Sequence, residues 1–508
     1  MLKKINNNLI LYSLPFILGI GSSFSLPPYN FFIINFITFS TLFIFFVLNY
    51  KKSKFFSFFI GWLFGFGYFI SNLYWITNSL KFDEIFSFII PLALFIIPAF
   101  FGIFYGLVTY LTSFFKLENN FSSLLIFSSM FAFIEFIRSF ILGGFPWNLI
   151  VYSLTDYINF IQILSFIGTY SLNLLSITFF TIPVVFFFNE KLGNKLLICF
   201  ITLTLFILNI YFGKSVINKF DNMNFSKLTT KIKIISPKIT IDRFFQNEDP
   251  YLIVEDLIEL SNPIDDEETL FIYPEGILTN IYLNDLALYK KIFQENFSKN
   301  HKIIMGINSL RNEKIYNSLV LLDNELNILD QYNKNKLVPF GEYLPFENIF
   351  SKFGLKKITQ GYQSFSADDT RDVFEVDDVK FLPLICYEII YSGNLNKSRK
   401  KFNLIVNISE DGWFGVSVGP RQHFSHSIFR SIEEGKNLAR SANNGISAFI
   451  DPTGKVRGII ESTDSGVLQI SSFKQTPETV FSKHGNKIFF YFLLFYISLI
   501  FFLKRKGR

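Results

Sequence analysis

Apolar residues come in two textures along this chain. Up to about residue 213, and again from Lys487, they form long Phe-, Ile- and Leu-rich runs broken by short polar loops; between these regions they shrink to short runs ended by turn residues. A helix that crosses a bilayer takes about 20 apolar residues. Seven stretches of the first texture qualify, near 8–25, 31–49, 55–76, 85–113, 121–142, 158–188 and 195–213, and an eighth lies at 487–503. Lys3 and Lys4 ahead of the first stretch also fit a cleaved leader, but the spans that follow favour the first helix of a bundle. In the second texture the punctuation predicts strands at 231–235, 270–273, 302–307, 318–322, 380–385, 403–408 and 445–450. Helical stretches at 251–260, 285–297 and 424–441 fall between some of them, and strands interleaved with helices predict a layered α/β domain. The expected organisation is a seven-helix membrane domain over 1–213, an α/β domain over 228–475 and an eighth helix over 487–503.

Composition supports that division. Of 508 residues half are hydrophobic and 69 are Phe, which excludes an ordinary soluble protein. The net charge of +6 is modest, and much of the Lys and Arg lies beside apolar runs. There it sets topology, and no nucleic-acid motif or partner is expected. Lys3, Lys4, Lys51, Lys52, Lys54, Lys116, Lys191, Lys195, Lys504, Arg505, Lys506 and Arg508 all fall on one side of eight spans, against Lys81 and Arg138 on the other. This asymmetry predicts cytoplasmic termini and an α/β domain outside, in the periplasm of a bacterium. The two cysteines are Cys199, in an apolar run, and Cys386, so no disulfide can form inside the α/β domain. A lone thiol in an oxidising space points to chemistry.

Three places in the α/β domain put a reactive side chain after a strand or in a punctuated loop. The run Phe381-Leu-Pro-Leu-Ile385 delivers Cys386, with Tyr387 and Glu388 directly after it. A strand that breaks off at a cysteine holds the sulfur and frees the next N–H groups for an oxyanion; an inert core cysteine is the alternative. In Phe271-Ile-Tyr-Pro-Glu-Gly276 a strand presents Glu275, either a turn residue at the surface or a base whose affinity for protons is raised by apolar walls. In the loop 332–345, Lys334, Lys336 and Glu342 bracket an apolar turn held by Pro339 and Gly341. One of these cations pointing into a pocket would stabilise an oxyanion, whereas a solvated loop would do nothing.

Base, cation and nucleophile in this order form one scheme. A Cys or Ser with a histidine is its competitor, for which His423 and His426 are best placed. As metal ligands that pair is a weak signal, and neither metal nor cofactor is expected. In the bundle, Glu135 and Arg138 are spaced to pair, as a structural or a functional ion pair. A lid is expected over 346–362, with Gly354 and Gly361 as hinges.

At these residues the domain resembles the nitrilase superfamily, and the chain as a whole resembles the apolipoprotein N-acyltransferase family. The matching motifs are Leu26-Pro-Pro-Tyr-Asn30, Gly65-Phe-Gly-Tyr-Phe69, Gly144-Phe-Pro-Trp147, the three reactive segments, Asp411-Gly-Trp-Phe-Gly415, Gly419-Pro-Arg-Gln-His423 and Arg440-Ser-Ala-Asn-Asn-Gly-Ile446. The resemblance implies a multi-pass α-helical membrane domain joined to an αββα sandwich. It implies Glu275 as general base, Lys334 as oxyanion-side cation, Cys386 as nucleophile and Glu342 as a second essential carboxylate. Tyr387 and Glu388 would flank the site, with Trp413 and His423 in support. Phe245 stands where the family commonly has Trp, Lys336 where it often has His, and Lys436 begins a pair where Arg-Pro is usual. The implied reaction moves an acyl chain from a membrane phospholipid, through a cysteine thioester, to the α-amine of a diacylglyceryl-apolipoprotein. The enzyme would act as a monomer in the inner membrane. A membrane-tethered amidase acting on a small soluble substrate is the rival reading.

Overall fold

The computed structural model describes residues 8–82, 87–244, 249–279, 281–345, 364–393, 395–396 and 398–506. The chain divides into two compact units, 1–77 with 88–217 and 479–508, and 78–87 with 218–478.

The first unit is built on apolar helices: α1 (Asn8–Ser23), α2 (Ile34–Asn49), α3 (Lys54–Leu73), α4 (Ile90–Thr112), α5 (Phe121–Arg138), α6 (Leu164–Thr181) and α7 (Leu192–Asp221), whose last residues belong to the second unit. A final helix, Lys487–Lys506, ends the described chain. Polar residues set the starts. The Ser53 hydroxyl accepts the Phe56 N–H at the head of α3, and Asn120 accepts that of Ser123 at the head of α5. Among the described residues six helices are long and apolar enough to cross a membrane. The first two expected spans are helical but shorter, 16 residues each, a rise of about 24 Å against a hydrocarbon layer of about 30 Å. The expected run 158–188 is broken into a short turn Ile158–Ile161, α6 with a kink at Gly168 (φ +71°), and a 3₁₀ turn Ile182–Phe187.

One polar cluster is sealed inside this unit. The Glu135 carboxylate accepts the Tyr105 hydroxyl on one oxygen (2.8 Å) and the Asn173 amide on the other (2.5 Å). Arg138 donates to the Phe145 carbonyl and stands 3.8 Å from Glu135. These bonds tie α4, α5 and α6 together in a layer where unpaired polar groups are costly.

The second unit is a sandwich of two six-stranded sheets. Its elements are β1 (Ser226–Ser236), α8 (Pro250–Ser261), β2 (Thr269–Ile272), α9 (Lys290–Asn296), β3 (His301–Arg311), β4 (Lys314–Leu322), β5 (Ile328–Asn333), β6 (Phe374–Val376), β7 (Val379–Ile385), β8 (Leu404–Glu410), α10 (Gly419–Glu434), β9 (Asn437–Asn443), β10 (Ser447–Ile450), β11 (Val456–Ile460) and β12 (Gly466–Phe473). The sheet orders are β12-β1-β2-β3-β4-β5 and β6-β7-β8-β9-β10-β11. Both follow one rule, three central parallel strands with antiparallel neighbours. The last strand returns to the first, Ser226 standing opposite Phe473. The sheets face each other through β1 on β9 and β10 and through β4 on β7. Ile253, Val254, Leu257 and Ile258 of α8 bury against Phe271, Ile303, Met305 and Val320 of the first sheet, each such side chain contributing about 1.5–3 kcal/mol. Helix α10 covers β9 and β10 on the other side, completing an αββα sandwich.

Two expectations are corrected. The helix expected over 424–441 stops at Glu434, because Gly435 turns left-handed (φ +63°) and caps it, and 437–443 is the buried strand β9. The helix expected over 285–297 is a 3₁₀ turn, Leu283–Tyr289, before α9.

Candidate active site

The reactive residues collect at the carboxyl ends of strands, where side chains of neighbouring strands converge. β2 ends two residues before Pro274, and Glu275 follows it in a turn that comes so close to β3 that a β-carbon at Gly306 would lie 2.5 Å from the Glu275 Cα. Lys334 follows β5, and its N–H donates to the Asn317 carbonyl on β4 (2.8 Å). That register brings the Asn317 amide beside both carboxylates, donating to Glu275 Oε1 at 2.7 Å and to Glu342 Oε1 at 2.8 Å. The Lys334 ammonium lies on the same two oxygens, 3.3 Å from Glu275 and 2.9 Å from Glu342. Glu342 also accepts the Val338 N–H (2.8 Å), closing the loop that carries it. The second Glu275 oxygen accepts the N–H of Glu410 at 2.9 Å. Glu275 is buried, and donors meet it on both oxygens.

Cys386 sits directly after β7, buried, with φ +47°. Burial, together with the Glu275 and Asp411 carboxylates, pushes its thiol well above the ordinary cysteine range, while Lys334 pulls the other way. Burial alone would lower the Lys334 ammonium, but Glu275 and Glu342 outweigh it and hold it well above the ordinary lysine range. The resting site thus pairs a neutral thiol with a fixed cation, and making the thiolate requires a nearby base.

The flanking residues have distinct jobs. Glu388 accepts the Ile385 N–H on one oxygen (2.9 Å), and on the other the Tyr332 hydroxyl, the N–H groups of Asn335 and Lys336, and Arg371. It straps the Lys334 loop to the strand that carries Cys386. Tyr387 is buried edge-on to Tyr391, over whose ring the exposed Lys336 ammonium stands at 5.8 Å. Trp413 packs against Phe244, itself beside Gly276, and against Phe82. Phe245 and the lid expected over 346–362 lie outside the described residues.

Sequence reasoning missed Asn317, Ser409, Arg371 and Arg440 as site residues. Asn317 carries no local signal, being a polar residue inside a strand. Asp411 and Arg440 lie in quoted motifs, but Arg440 fell in the expected helix. In the structure Arg440 donates to Asp411 Oδ2 at 2.8 Å, and His423 Nδ1 stands 3.0 Å from Asp411 Oδ1. Ligand atoms of Cys386, Asp411 and His423 lie within 4.8 Å of one another, a grouping a divalent metal can use. Here the Arg440 guanidinium already supplies positive charge to Asp411.

A two-sheet αββα sandwich with Glu, Lys and Cys at its strand ends defines a nitrilase-like domain, and residues 272–471 match the carbon-nitrogen hydrolase family model. Solved structures similar to this half include a superfamily protein from Xanthomonas campestris, 15% identical with TM-score 0.35, covering 50% of this chain and 91% of that one. Residues 18–182 match the model of the apolipoprotein N-acyltransferase N-terminal domain. The apolipoprotein N-acyltransferase of Rickettsia prowazekii is 33% identical over 87% of this chain and 90% of its own length. That of Brucella melitensis is 30% identical over 83% and 80%. The chain belongs to the apolipoprotein N-acyltransferase family, and with its long apolar helices it is a bacterial membrane protein.

Proposed function

We propose that this chain N-acylates lipoproteins, taking the acyl chain from a membrane phospholipid through a thioester on Cys386. The observation that carries the reading is the shared field of Glu275, Lys334 and the buried Cys386 thiol. Glu275 takes the thiol proton, and the thiolate attacks the ester carbonyl of the donor. Lys334, with the N–H groups of the turn after Cys386, holds the oxyanion. The ester C–O bond then breaks and the lysophospholipid leaves with the proton held by Glu275. The α-amine of the diacylglyceryl-cysteine acceptor attacks the thioester and gives a proton to Glu275, which returns it to the departing sulfur. Both lipid substrates stay in the bilayer, which gives the helices (1–213 and 487–503) a purpose beside the catalytic domain (228–475). The reading places that domain in the periplasm and both termini in the cytoplasm, with a monomer as the working unit.

The test is to incubate the purified protein with phospholipid and no acceptor. One acyl mass should appear on the Cys386 peptide and be released by neutral hydroxylamine. Acyl transfer at the normal rate by Cys386→Ala would overturn the covalent mechanism.

A further inference from the structure

A second group of side chains reaches Cys386 independently of Glu275 and Lys334. Cys386 links β7 to the helical turn Cys386–Ile390 in a left-handed conformation, φ +47°. A residue with a β-carbon keeps such a backbone only where its surroundings hold it. His423, on α10, lies against Cys386: a ring nitrogen, the Cys386 Sγ and an Asp411 carboxylate oxygen lie within 4.8 Å of one another, and α10 packs on the turn that Cys386 begins. Its ring is itself fixed: Nδ1 lies 3.0 Å from Asp411 Oδ1 and 3.0 Å from Arg440 Nη2. Arg440 is anchored in turn by Asp411 (2.8 Å), by the Ile446 carbonyl (3.1 Å) and by Asn407. The Asp411 N–H donates to the Asn443 carbonyl (3.0 Å), and its carboxylate accepts the Ser409 hydroxyl (2.6 Å). β8, β9 and α10 therefore converge on the ring from three sides.

We propose that His423, oriented by Asp411 and Arg440, is a positioning residue whose fixed ring holds Cys386 in its left-handed turn. Cys386, His423 and Asp411 look like a proton-carrying triad, but the electrostatics disfavour that use. An imidazolium would face the Arg440 guanidinium at 3.0 Å, and like charges at that distance repel strongly. Burial lowers the affinity of His423 for a proton further, with Asp411 opposing in part. A neutral ring that orients a backbone is what this surrounding permits.

The proposal rests on Cys386 being the nucleophile, so its test reads the thiol without any acyl donor. In full-length protein carrying Cys199→Ser, Cys386 is the remaining cysteine, and its alkylation by iodoacetamide can be followed against pH. His423→Ala should slow alkylation and kcat by about 10- to 100-fold, the scale of a small misplacement of a reacting atom. KM for the phospholipid and the midpoint of the alkylation curve should stay put. His423→Asn reproduces the Nδ1 position and His423→Gln the Nε2 position; one of the two should restore most of the rate. Wild-type alkylation by folded His423→Ala overturns the proposal, and so does loss of a limb of the kcat–pH profile near the imidazole range, which would make His423 a proton carrier. If the alanine variant does not fold, the two amides decide: rescue by one supports the role, and two folded but slow variants overturn it. Acyl transfer by Cys386→Ala would instead sink the thioester reading and leave the alkylation result standing.

Discussion

Each unit of the molecule buries a carboxylate beside a cation, and the two clusters end differently. In the helical unit Glu135 gives each oxygen one neutral donor, Tyr105 and Asn173, while Arg138 turns to the Phe145 carbonyl. Both carboxylate oxygens there are met by neutral donors, and the cation stands 3.8 Å away. In the sandwich Lys334 and Asn317 share the oxygens of Glu275 and Glu342, and the Cys386 thiol lies in the same field. The chemistry of a buried carboxylate and cation thus turns on whether a nucleophile shares their environment.

The sharpest way to break this comparison is to neutralise both acids. Glu275→Gln should slow thioester formation by about 10²–10⁴-fold, the range of a lost general base. Glu135→Gln should leave the single-turnover rate unchanged and instead lower thermal stability in detergent by about 1–3 kcal/mol. Equal losses of acylation in the two variants would erase the distinction. Asn317→Ala comes next in size. It leaves two buried carboxylates each short of a donor, a cost of about 1–3 kcal/mol, read as a drop of about 5- to 150-fold in thioester formation with the fold retained.

Two pH effects sharpen the same contrast. With its thiol pushed up, Cys386 should alkylate more slowly at neutral pH than free cysteine, its rate still climbing as pH rises past about 8.5. The smallest effect belongs to His423. Its proton affinity is lowered in the fold, so the unfolded chain takes up the proton first. Its contribution is present above the unfolded value of about 6.5 and is lost as pH falls below it, by at most about 1.4 kcal/mol per pH unit. Between pH 7.5 and 5.5 the melting temperature of the native protein should fall more than that of His423→Asn, by roughly 2–4 °C per kcal/mol.

What the sequence could announce was what local pattern encodes. Cys386 falls after an apolar strand, as expected, and the strands at 270–273 and 380–385 are within a residue of β2 and β7. Strand β9 was illegible because Asn-Leu-Ala-Arg-Ser-Ala-Asn lacks the β-branched residues that mark strands. It is a strand because it lies between β8 and β10, where Arg440 meets Asp411. β5 was hidden by its exposed first four residues, and β12 by its polar alternation at a sheet edge. Asn317 acts only through the register of β4 with β5, a long-range fact that no window of sequence contains.

The pairing of the last strand with the first has a consequence for how such a chain is assembled. Ser226 and Phe473 face each other in an antiparallel ladder, so their Cα atoms lie about 4.5–5.5 Å apart. The sandwich is therefore a cassette whose entrance and exit are adjacent. Closing a floppy loop of roughly 250 residues would cost the flanking helices about 5 kcal/mol of chain entropy. A cassette that folds first would bring those two ends together beforehand and remove most of that cost from the assembly of the helices on either side, Leu192–Asp221 and Lys487–Lys506.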